Sequence, residues 1–421
     1  MTSQTQINRA IEATWKTERP RLIAGLARMV RDISMAEELA QDALVAALKT
    51  WPRTGVPDNP GAWLMQTAKR RAIDYFRHRT MATTKLAEVT HGIETDIADP
   101  VETLHAALDD ELGDDLLRLI FTACHPILPA ESRVALTLRL IGGLTVEEIA
   151  RAFLANDTTI GQRIVRAKKT IADAGIPFEV PSGAERAERL SSVLGVLYLI
   201  FNEGYSATAG ADLLRPQLCD EAIRLGRILA GLSPRDSEVH GLLALMTIQA
   251  SRNGARTDAK GAPILLQHQD RELWDRALIA EGLAALARAK TLGGADQPYA
   301  LQAAIAACHA RAQRYEDTDW AGMVALYARL LDVLPSPVIA LNRAVAVSMA
   351  EGPAAALVLL DQLRDDPALK NYYLLYGVRG DLLSQLGRHT EAMLEFRLAA
   401  SLTRNAREQA YLLGRADAGL R

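Results

Sequence analysis

Cysteine is scarce: Cys124, Cys219 and Cys308 lie far apart, and none belongs to a CxxC pair. A disulfide framework and a cysteine zinc site are therefore not expected, and a reducing compartment suits the chain. Aromatic residues make up only 5%, while Ala and Leu are abundant, which favours packed helices over sandwiches and barrels. No run of apolar residues is long. The longest, Val193 to Phe201, is interrupted by Gly195 and is too short to span a bilayer, so it reads as a buried helix. The first twenty residues carry Arg9, Glu12, Lys16, Glu18 and Arg19 without an apolar core, so no secretory signal is expected and the location expected is cytoplasmic. Walker, GxSxG and HExxH motifs are missing, which leaves the common nucleotide, serine-hydrolase and zinc-protease chemistries without a foothold.

What is present is ordinary globular material, 49% hydrophobic and 24% charged over 421 residues, enough for two or three domains. The net charge of −3 conceals an uneven map. Residues 60–85 hold Lys69, Arg70, Arg71, Arg77, Arg79 and Lys85 against Asp74 alone. Residues 86–116 hold ten acids and no Lys or Arg. Residues 133–169 return to seven basic against three acidic. A single charge run is usually a solvated face. Two basic modules separated by an acidic link instead fit two contacts on a long polyanion.

Helical periodicity covers almost the whole chain. Residues 20–32 and 35–51 read as two helices broken at Asp32-Ile33-Ser34, with Ser34 able to cap the second. On that second helix Leu39, Ala43, Leu44, Ala47 and Leu48 form the apolar stripe, and Glu38, Gln41 and Asp42 share one exposed face. After a turn-rich stretch, Asn59 can cap a helix that starts with Pro60 and carries Trp63, Tyr75, Phe76 and the first basic cluster. Thr145-Val146-Glu147-Glu148 is a capping box. A short helix, a turn at Ala155-Asn156-Asp157 and a second helix capped by Asp157 follow. Ile160, Ile164, Ala167 and Ile171 fall on one side, and Thr158, Gln162, Arg166 and Lys169 on the other. This pattern is either a DNA-binding helix-turn-helix or an αα-hairpin with a solvated basic face.

A Pro/Gly-containing break from Gly175 to Gly183 ends this half. Near the C-terminus, Asn342–Glu351 with Pro353–Leu363 and Tyr372–Leu386 with His389–Leu402 form two helix pairs, joined at Gly352 and Gly387. Leu386 to Ala392, followed by Phe396 and Ala399-Ala400, resembles the second half of a tetratricopeptide repeat. The helices around 221–231, 238–252 and 273–290 read as degenerate copies.

Taken in order, the motifs of the first 172 residues resemble a bacterial sigma factor of the extracytoplasmic-function group. Ala36 to Leu44 resembles region 2.2, which in that family docks on the clamp helices of the polymerase β′ subunit. Pro60 to Leu64, with Ala68 and Ala72 to Arg77, resembles regions 2.3 and 2.4, which melt and read the −10 element. Leu144 to Ala150 through Arg163 to Lys169 resembles region 4.2, the reader of the −35 element. The resemblance implies an all-α chain: region 2 over 1–85, an acidic interdomain linker over 86–115, a region 4 helix-turn-helix over 116–176, and a helical extension with tetratricopeptide-like repeats over 177–421. It implies core RNA polymerase, through its β and β′ subunits, and promoter DNA as partners, with no cofactor and no membrane.

The site residues follow from the same match. Glu38, Gln41 and Asp42 would face polymerase. Trp63, Lys69, Arg70, Arg71, Asp74, Arg77 and Arg79 would face the −10 element, where a melted strand is held by its phosphates and by base stacking; for Trp63, core packing is the other reading. Thr158, Thr159, Gln162, Arg163 and Arg166 would face the −35 element, with Lys168 and Lys169 on phosphates. Arg70 stands where the family often has Asn, and Gly161 where it often has a basic residue. In the family, the link between the domains threads polymerase channels that later hold nucleic acid, and ten carboxylates would mimic that polyanion. Phe201-Asn202-Glu203-Gly204-Tyr205 resembles a recurring signature of the extension in one subset of the family; a compact turn capping a buried helix is the other reading. The extension is expected to regulate the sigma core in cis or to act on an unknown regulator.

Two rival classes remain. A helix-turn-helix repressor or activator with a helical sensor domain would leave 36–79 unexplained. An enzyme could use Asp109 to Asp115 as a metal site or Cys124-His125 as nucleophile and base, but the acids lack ligand spacing and adjacent helical residues diverge by about 100°.

Overall fold

The computed structural model describes residues 4–89, 112–153, 155–206, 214–259 and 261–418. The chain is all-α. Among the described residues, a lone antiparallel bridge between Thr257 and Pro263 is the one extended pairing. It divides into two compact units, Met1–Val196 and Leu197–Arg421.

In the first unit, α1 (Gln4–Val30) is much longer than the sequence pattern suggests and runs through Pro20. A proline there removes a helical hydrogen bond, and the helix persists because Leu22, Ile23, Ala24 and Leu26 beside it are fully buried. Arg31 turns the chain with φ +53. Asp32, rather than Ser34, caps α2 (Ile33–Thr54): its carboxylate accepts from the Ser34 N–H at 2.7 Å and the Met35 N–H at 3.0 Å. Leu39, Ala43 and Ala47 are buried as the stripe requires, but Leu44 is half-buried and Leu48 is 48% exposed. The core side of α2 is instead completed by Ala36, Ala40 and Trp51. Asn59 caps α3 (Pro60–Val89) as expected, its Oδ1 accepting from the Ala62 N–H at 3.0 Å.

The helices α4 (Leu112–Ala123), α5 (Ala130–Leu140), α6 (Val146–Ala152) and α7 (Asp157–Asp173) follow. Most of the acidic link lies outside the described residues. Its last member, Asp115, is no linker residue: it is 1% exposed and pairs with Arg28 of α1 at 3.1 Å and Arg118 of α4 at 2.6 Å. The helix α8 (Gly183–Tyr205) starts in this unit. Its Ser192 donates to the Cys124 carbonyl at 2.6 Å and its Arg189 to the Phe121 carbonyl at 3.1 Å. These bonds explain why the unit ends at Val196 and not at the Pro/Gly break.

The second unit contains the end of α8, then α9 (Pro216–Leu232), α10 (Ser237–Ala250), α11 (Arg276–Thr291), α12 (Pro298–Arg311), α13 (Trp320–Val333), α14 (Pro337–Glu351), α15 (Pro353–Leu363), α16 (Tyr373–Gln385), α17 (His389–Leu402) and α18 (Ala406–Ala418). From α12 onward each helix packs on the next. The joints Gly352 and Gly387 have φ of +101 and +75, a conformation that side chains with a Cβ rarely adopt, so the helix pairs turn where the sequence places them. Residues of α14 to α18 share one core, including Leu341, Leu360, Leu375, Phe396 and Leu412.

Candidate nucleic-acid and polymerase interface

The capping box is formed in full. The Glu148 N–H donates to Thr145 Oγ1 at 3.1 Å, and the Thr145 N–H donates to Glu148 Oε2 at 2.8 Å. This fixes the start of α6 and hence the turn into α7. Asn156, rather than Asp157, occupies the cap position of α7, and its side chain makes no cap bond. The helix-turn-helix is held by Ile149, Ile160, Ile164, Ala167 and Ile171, all buried. Thr158, Thr159, Gln162, Arg166 and Lys169 are exposed. Sequence reasoning missed Val165 on the same outward surface, which is 66% exposed and is an apolar side chain of the kind that contacts thymine methyls. Its signal was its spacing, three residues after Gln162. Gly161 is not forced by sterics, since a Cβ there would meet only Val146 Cγ1 at 3.9 Å.

Two of the expected DNA residues on α7 are engaged within the protein. Arg163 pairs with Glu131 at 2.5 Å. Lys168 pairs with Glu37, a residue of α2. Glu37 also takes Arg19 of α1 at 2.8 Å and Arg139 of α5 at 2.9 Å, so one carboxylate with 7% side-chain exposure faces three cations from three other helices. The arginines bind further: Arg19 donates to the Gly143 carbonyl at 3.1 Å and Arg139 to the Leu144 carbonyl at 3.2 Å. Burial pushes the Glu37 carboxyl up, but Lys168, Arg139 and Arg19 together outweigh it and hold its pKa below the ordinary value. For Arg19, burial and then Arg139 lower the pKa, with Glu37 opposing.

On the other helix-turn, Glu38, Gln41 and Asp42 are exposed together on α2. Val45 at 42% and Leu48 at 48% exposure add apolar area to the surface of the same helix. Asp42 is joined to Arg71 of α3 at 2.8 Å, with both side chains well exposed. Arg70, Asp74 and Arg77 are exposed, and Lys69 and Arg71 are half-buried. Arg77 lies 3.9 Å from Asp74. The Arg79 side chain lies outside the described residues. Trp63 is half-buried and packs edge-on against the buried Trp51, with ring centroids 5.4 Å apart, so at least one edge serves the core. Tyr75 and Phe76 form a second edge-on pair at 5.6 Å.

Of the enzyme alternative, Asp109, Asp110 and Glu111 lie outside the described residues, while Cys124 and His125 are not arranged as nucleophile and base. Cys124 is buried beside Thr137 Oγ1 at 3.3 Å, and burial pushes its thiol up to about 11, so it is no thiolate at neutral pH. His125 uses Nδ1 to accept from the Ile127 N–H at 3.1 Å. Among the described residues, no three His, Cys, Asp or Glu side chains are grouped as a metal site would require, and no helix is long and apolar enough to cross a membrane.

The signature Phe201 to Tyr205 is structural in its contacts. Phe201 is fully buried and stacks on Tyr205, Glu203 pairs with Arg215, and the Arg215 N–H donates to the Gly204 carbonyl at 2.8 Å. A Cβ on Gly204 would lie 2.6 Å from the Cys219 backbone nitrogen, so only glycine lets α9 approach this closely.

Comparison with known proteins places these elements. Residues 14–81 match the family Sigma-70 region 2, and residues 118–171 match Sigma-70, region 4. Residues 189–290 match a family of unknown function, DUF6596. An uncharacterized protein of Rhizobium meliloti, R00370, is 46% identical over 96% of this chain and 94% of its own length. The ECF RNA polymerase sigma factor SigK of a Mycobacterium species (strain KMS) is 30% identical over 37% of this chain and 77% of its own length. The probable ECF RNA polymerase sigma factor SigI of Mycobacterium tuberculosis is 27% identical over 42% of this chain and 59% of its own length. The region 2 match covers most of α1 to α3, the region 4 match covers most of α4 to α7, and the order is that of the sigma-70 family. The chain therefore belongs to the extracytoplasmic-function RNA polymerase sigma factors, with a large helical extension added.

Proposed function

We propose that the chain docks on core RNA polymerase through the α2 surface of Glu38, Gln41 and Asp42, with Val45 and Leu48 as its apolar part. The α3 surface of Trp63, Lys69, Arg70, Arg71, Asp74, Arg77 and Arg79 takes the −10 element. The α7 surface of Thr158, Thr159, Gln162 and Arg166 reads base edges of the −35 element, and Lys169 contacts phosphate. Arg163 and Lys168 can join these contacts only by leaving Glu131 and Glu37. The extension regulates the two DNA-binding domains in cis or through a regulator, and catalysis is no part of the role. The observation that carries this reading is the division of α7: Ile160, Ile164, Ala167 and Ile171 are buried in the helix-turn-helix, while a row of polar side chains suited to a major groove, with Val165 among them, stays exposed.

The experiment is promoter-specific transcription in vitro with core polymerase. Gln41→Ala with Asp42→Lys abolishes co-elution with core enzyme while helicity is kept. Arg166→Ala relaxes one promoter position, and Lys169→Ala weakens all sequences about equally and flattens the salt dependence. A chain ending after Ser206, which keeps the α8 bonds to Cys124 and Phe121, transcribes differently from the full chain. Sequence-specific binding of the purified chain to operator DNA with no affinity for core polymerase would favour the repressor or activator reading instead.

A further inference from the structure

The second unit contains a cavity of about 300 Å³, lined in part by Arg252, Trp274, Gln302, His309, Tyr327 and Asn342. That volume lies at the small end of ligand sites, and the walls combine aromatic and aliphatic faces with a few polar groups, as such sites do. Three features make it more than a packing defect.

The first is charge. No Asp or Glu lines the cavity, while Arg252 does. Among the described residues Arg252 forms no ion pair with a carboxylate. It donates instead to the Tyr205 hydroxyl and lies over the rings of Tyr205 and Trp274, each at 5.8 Å. Two further guanidinium groups stand close by, and among the described residues neither forms an ion pair with a carboxylate. Arg256 lies over the Tyr205 ring at 3.6 Å, and Arg271, 9% exposed, lies over the Trp274 ring at 4.6 Å. Three cations held mainly by aromatic faces and carbonyls, with Glu408 acting on Arg256 and Glu316 and Asp317 on Arg271 only as more distant carboxylates, leave Arg252 as the cationic group of the cavity wall.

The second is unmet hydrogen bonding. Trp274 Nε1 and His309 Nδ1 are both fully buried and have no hydrogen-bond partner among the described residues, and both residues line the cavity. Trp274 itself is only 2% exposed. Buried donors of this kind are normally satisfied, and leaving one unmet is costly. Burial, then Arg252 and Arg271, push the His309 ring down to about 3, so the ring is neutral and carries no cationic charge of its own.

The third is the shape of the remaining wall. Tyr198, Ile305, Tyr327, Leu330 and Ile339 supply apolar faces. Tyr198 is fixed by an edge-on contact with Tyr299 at 5.6 Å. A bare inorganic ion would use the arginine but not these surfaces. A flat apolar body with an anionic group at one end uses both.

We propose that this cavity binds a small aromatic carboxylate, with its carboxylate on Arg252 and its ring between the aromatic and aliphatic walls. The Trp274 indole N–H and the His309 ring supply the remaining polar contacts. A carboxylate suits the guanidinium, whose donors match two oxygens at once. The signature at Phe201 to Tyr205 then has a second consequence, because Tyr205 is the residue that holds Arg252 from behind the cavity.

The test is binding by the full-length chain, followed by calorimetry and thermal unfolding, with benzoate and phenylacetate at millimolar concentration as probes. It stands apart from transcription, so its outcome does not depend on whether the extension regulates the sigma core. Both carboxylates are expected to raise the unfolding midpoint and to release or absorb heat saturably. Benzamide, the neutral counterpart, is expected to bind at least about tenfold more weakly, as loss of a charge-assisted contact requires. Arg252→Met should abolish binding, but it also frees Tyr205 and can unfold the site. Ala306→Leu, which fills the cavity from α12 without touching the arginine, should abolish binding while the ligand-free protein stays folded. Failure of both carboxylates to bind would overturn the proposal, as would equal binding of benzamide or of inorganic phosphate. Undiminished binding to Ala306→Leu would place the ligand elsewhere and overturn it too.

Discussion

Replacing Glu37 by Gln keeps the shape of the side chain and removes its charge, and it should loosen the first unit more than any surface substitution. The carboxylate faces Arg19 at 2.8 Å, Arg139 at 2.9 Å and Lys168, with side-chain exposures of 5%, 19% and 15% for the three cations. At an effective dielectric near 20, each such contact has a Coulomb term of about 6 kcal/mol. The cost of burying the charges and the repulsion among the cations cancel much of that sum. What remains on removing one partner of a buried cluster is about 3–5 kcal/mol, a large share of the stability of a domain. Lys168→Met alone should also destabilise, by less, because Glu37 keeps two arginines. In the Glu37→Gln background the sign should reverse: Lys168→Met then removes one of three uncompensated cations and restores stability. The readout is hydrogen exchange of the full chain, followed in peptides of α1, α2, α5 and α7, with denaturant unfolding beside it. The pH dependence follows from the lowered Glu37 pKa. Its stabilisation is present above the unfolded value of about 4.3 and is lost as pH falls through the folded value, so wild type and Glu37→Gln should converge in acid. A loss below about 1 kcal/mol, the range of an exposed pair, or a Lys168→Met effect of the same sign in both backgrounds, would refute the reasoning.

Three further substitutions test the fold at other points. Gly161→Ala should stabilise α7 by up to about 1 kcal/mol in thermal unfolding, because the added Cβ meets only Val146 Cγ1 at 3.9 Å and a helical glycine is replaced. Gly204→Ala should destabilise the second unit by about 1–3 kcal/mol in denaturant unfolding, since its Cβ would strike backbone of α9 at 2.6 Å. Glu238, pushed up to about 7 by burial despite backbone donors at Tyr299 and Ala300, is a carboxyl whose folded pKa exceeds its unfolded one; its contribution is full in acid and lost as pH rises toward 7, so Glu238→Gln should raise the unfolding midpoint of the second unit at about pH 8 and change it little at about pH 4.

Local signals in the sequence proved the most legible. The capping box at Thr145, the cap at Asn59, the buried side of α7 and the glycine joints at 352 and 387 all depend on residues within a turn or two of each other, and each is found in place. Ser34 lost the cap to Asp32 because both are competent cap residues, and the competition is decided by where α1 ends, at Val30, with the turn at Arg31. The reach of α1 through Pro20 was hidden because tertiary burial of Leu22, Ile23 and Leu26 overrides the local penalty. Leu48 was assigned to the core by periodicity alone, yet a stripe of Leu and Ala is wider than the contact it makes, and Trp51 fills the place further along. Asp115 was hidden by its neighbours: nine other acids in the run are the signature of a solvated link, and nothing local distinguishes the one that meets Arg28. The contact between Glu37 and Lys168 spans 131 residues and has no periodic trace at all. The cavity around Trp274 is likewise assembled from α8, α10, α12, α13 and α14 and the loop before α11.

Two ion pairs join residues that the family pattern assigns to different partners, and their exposure separates their consequences. Asp42 and Arg71 link the proposed polymerase surface of α2 to the proposed −10 surface of α3, with side chains 55% and 40% exposed. An exposed pair of this kind contributes about 0–1 kcal/mol and yields readily to a competing partner, so neither residue is withheld from polymerase or DNA. Glu37 and Lys168 are 7% and 15% exposed, and Glu37 is shared with two arginines. Drawing Lys168 out to a phosphate means breaking its pair with Glu37, which would then keep its two arginines. Lys169 and Arg166 are exposed, so the DNA contacts proposed for them need no such step. The helix thus offers two kinds of cation one residue apart: Lys169 is exposed, whereas Lys168 becomes available only by leaving Glu37. If promoter DNA recruits both, as proposed, the free energy of the Lys168–Glu37 contact is subtracted from the affinity.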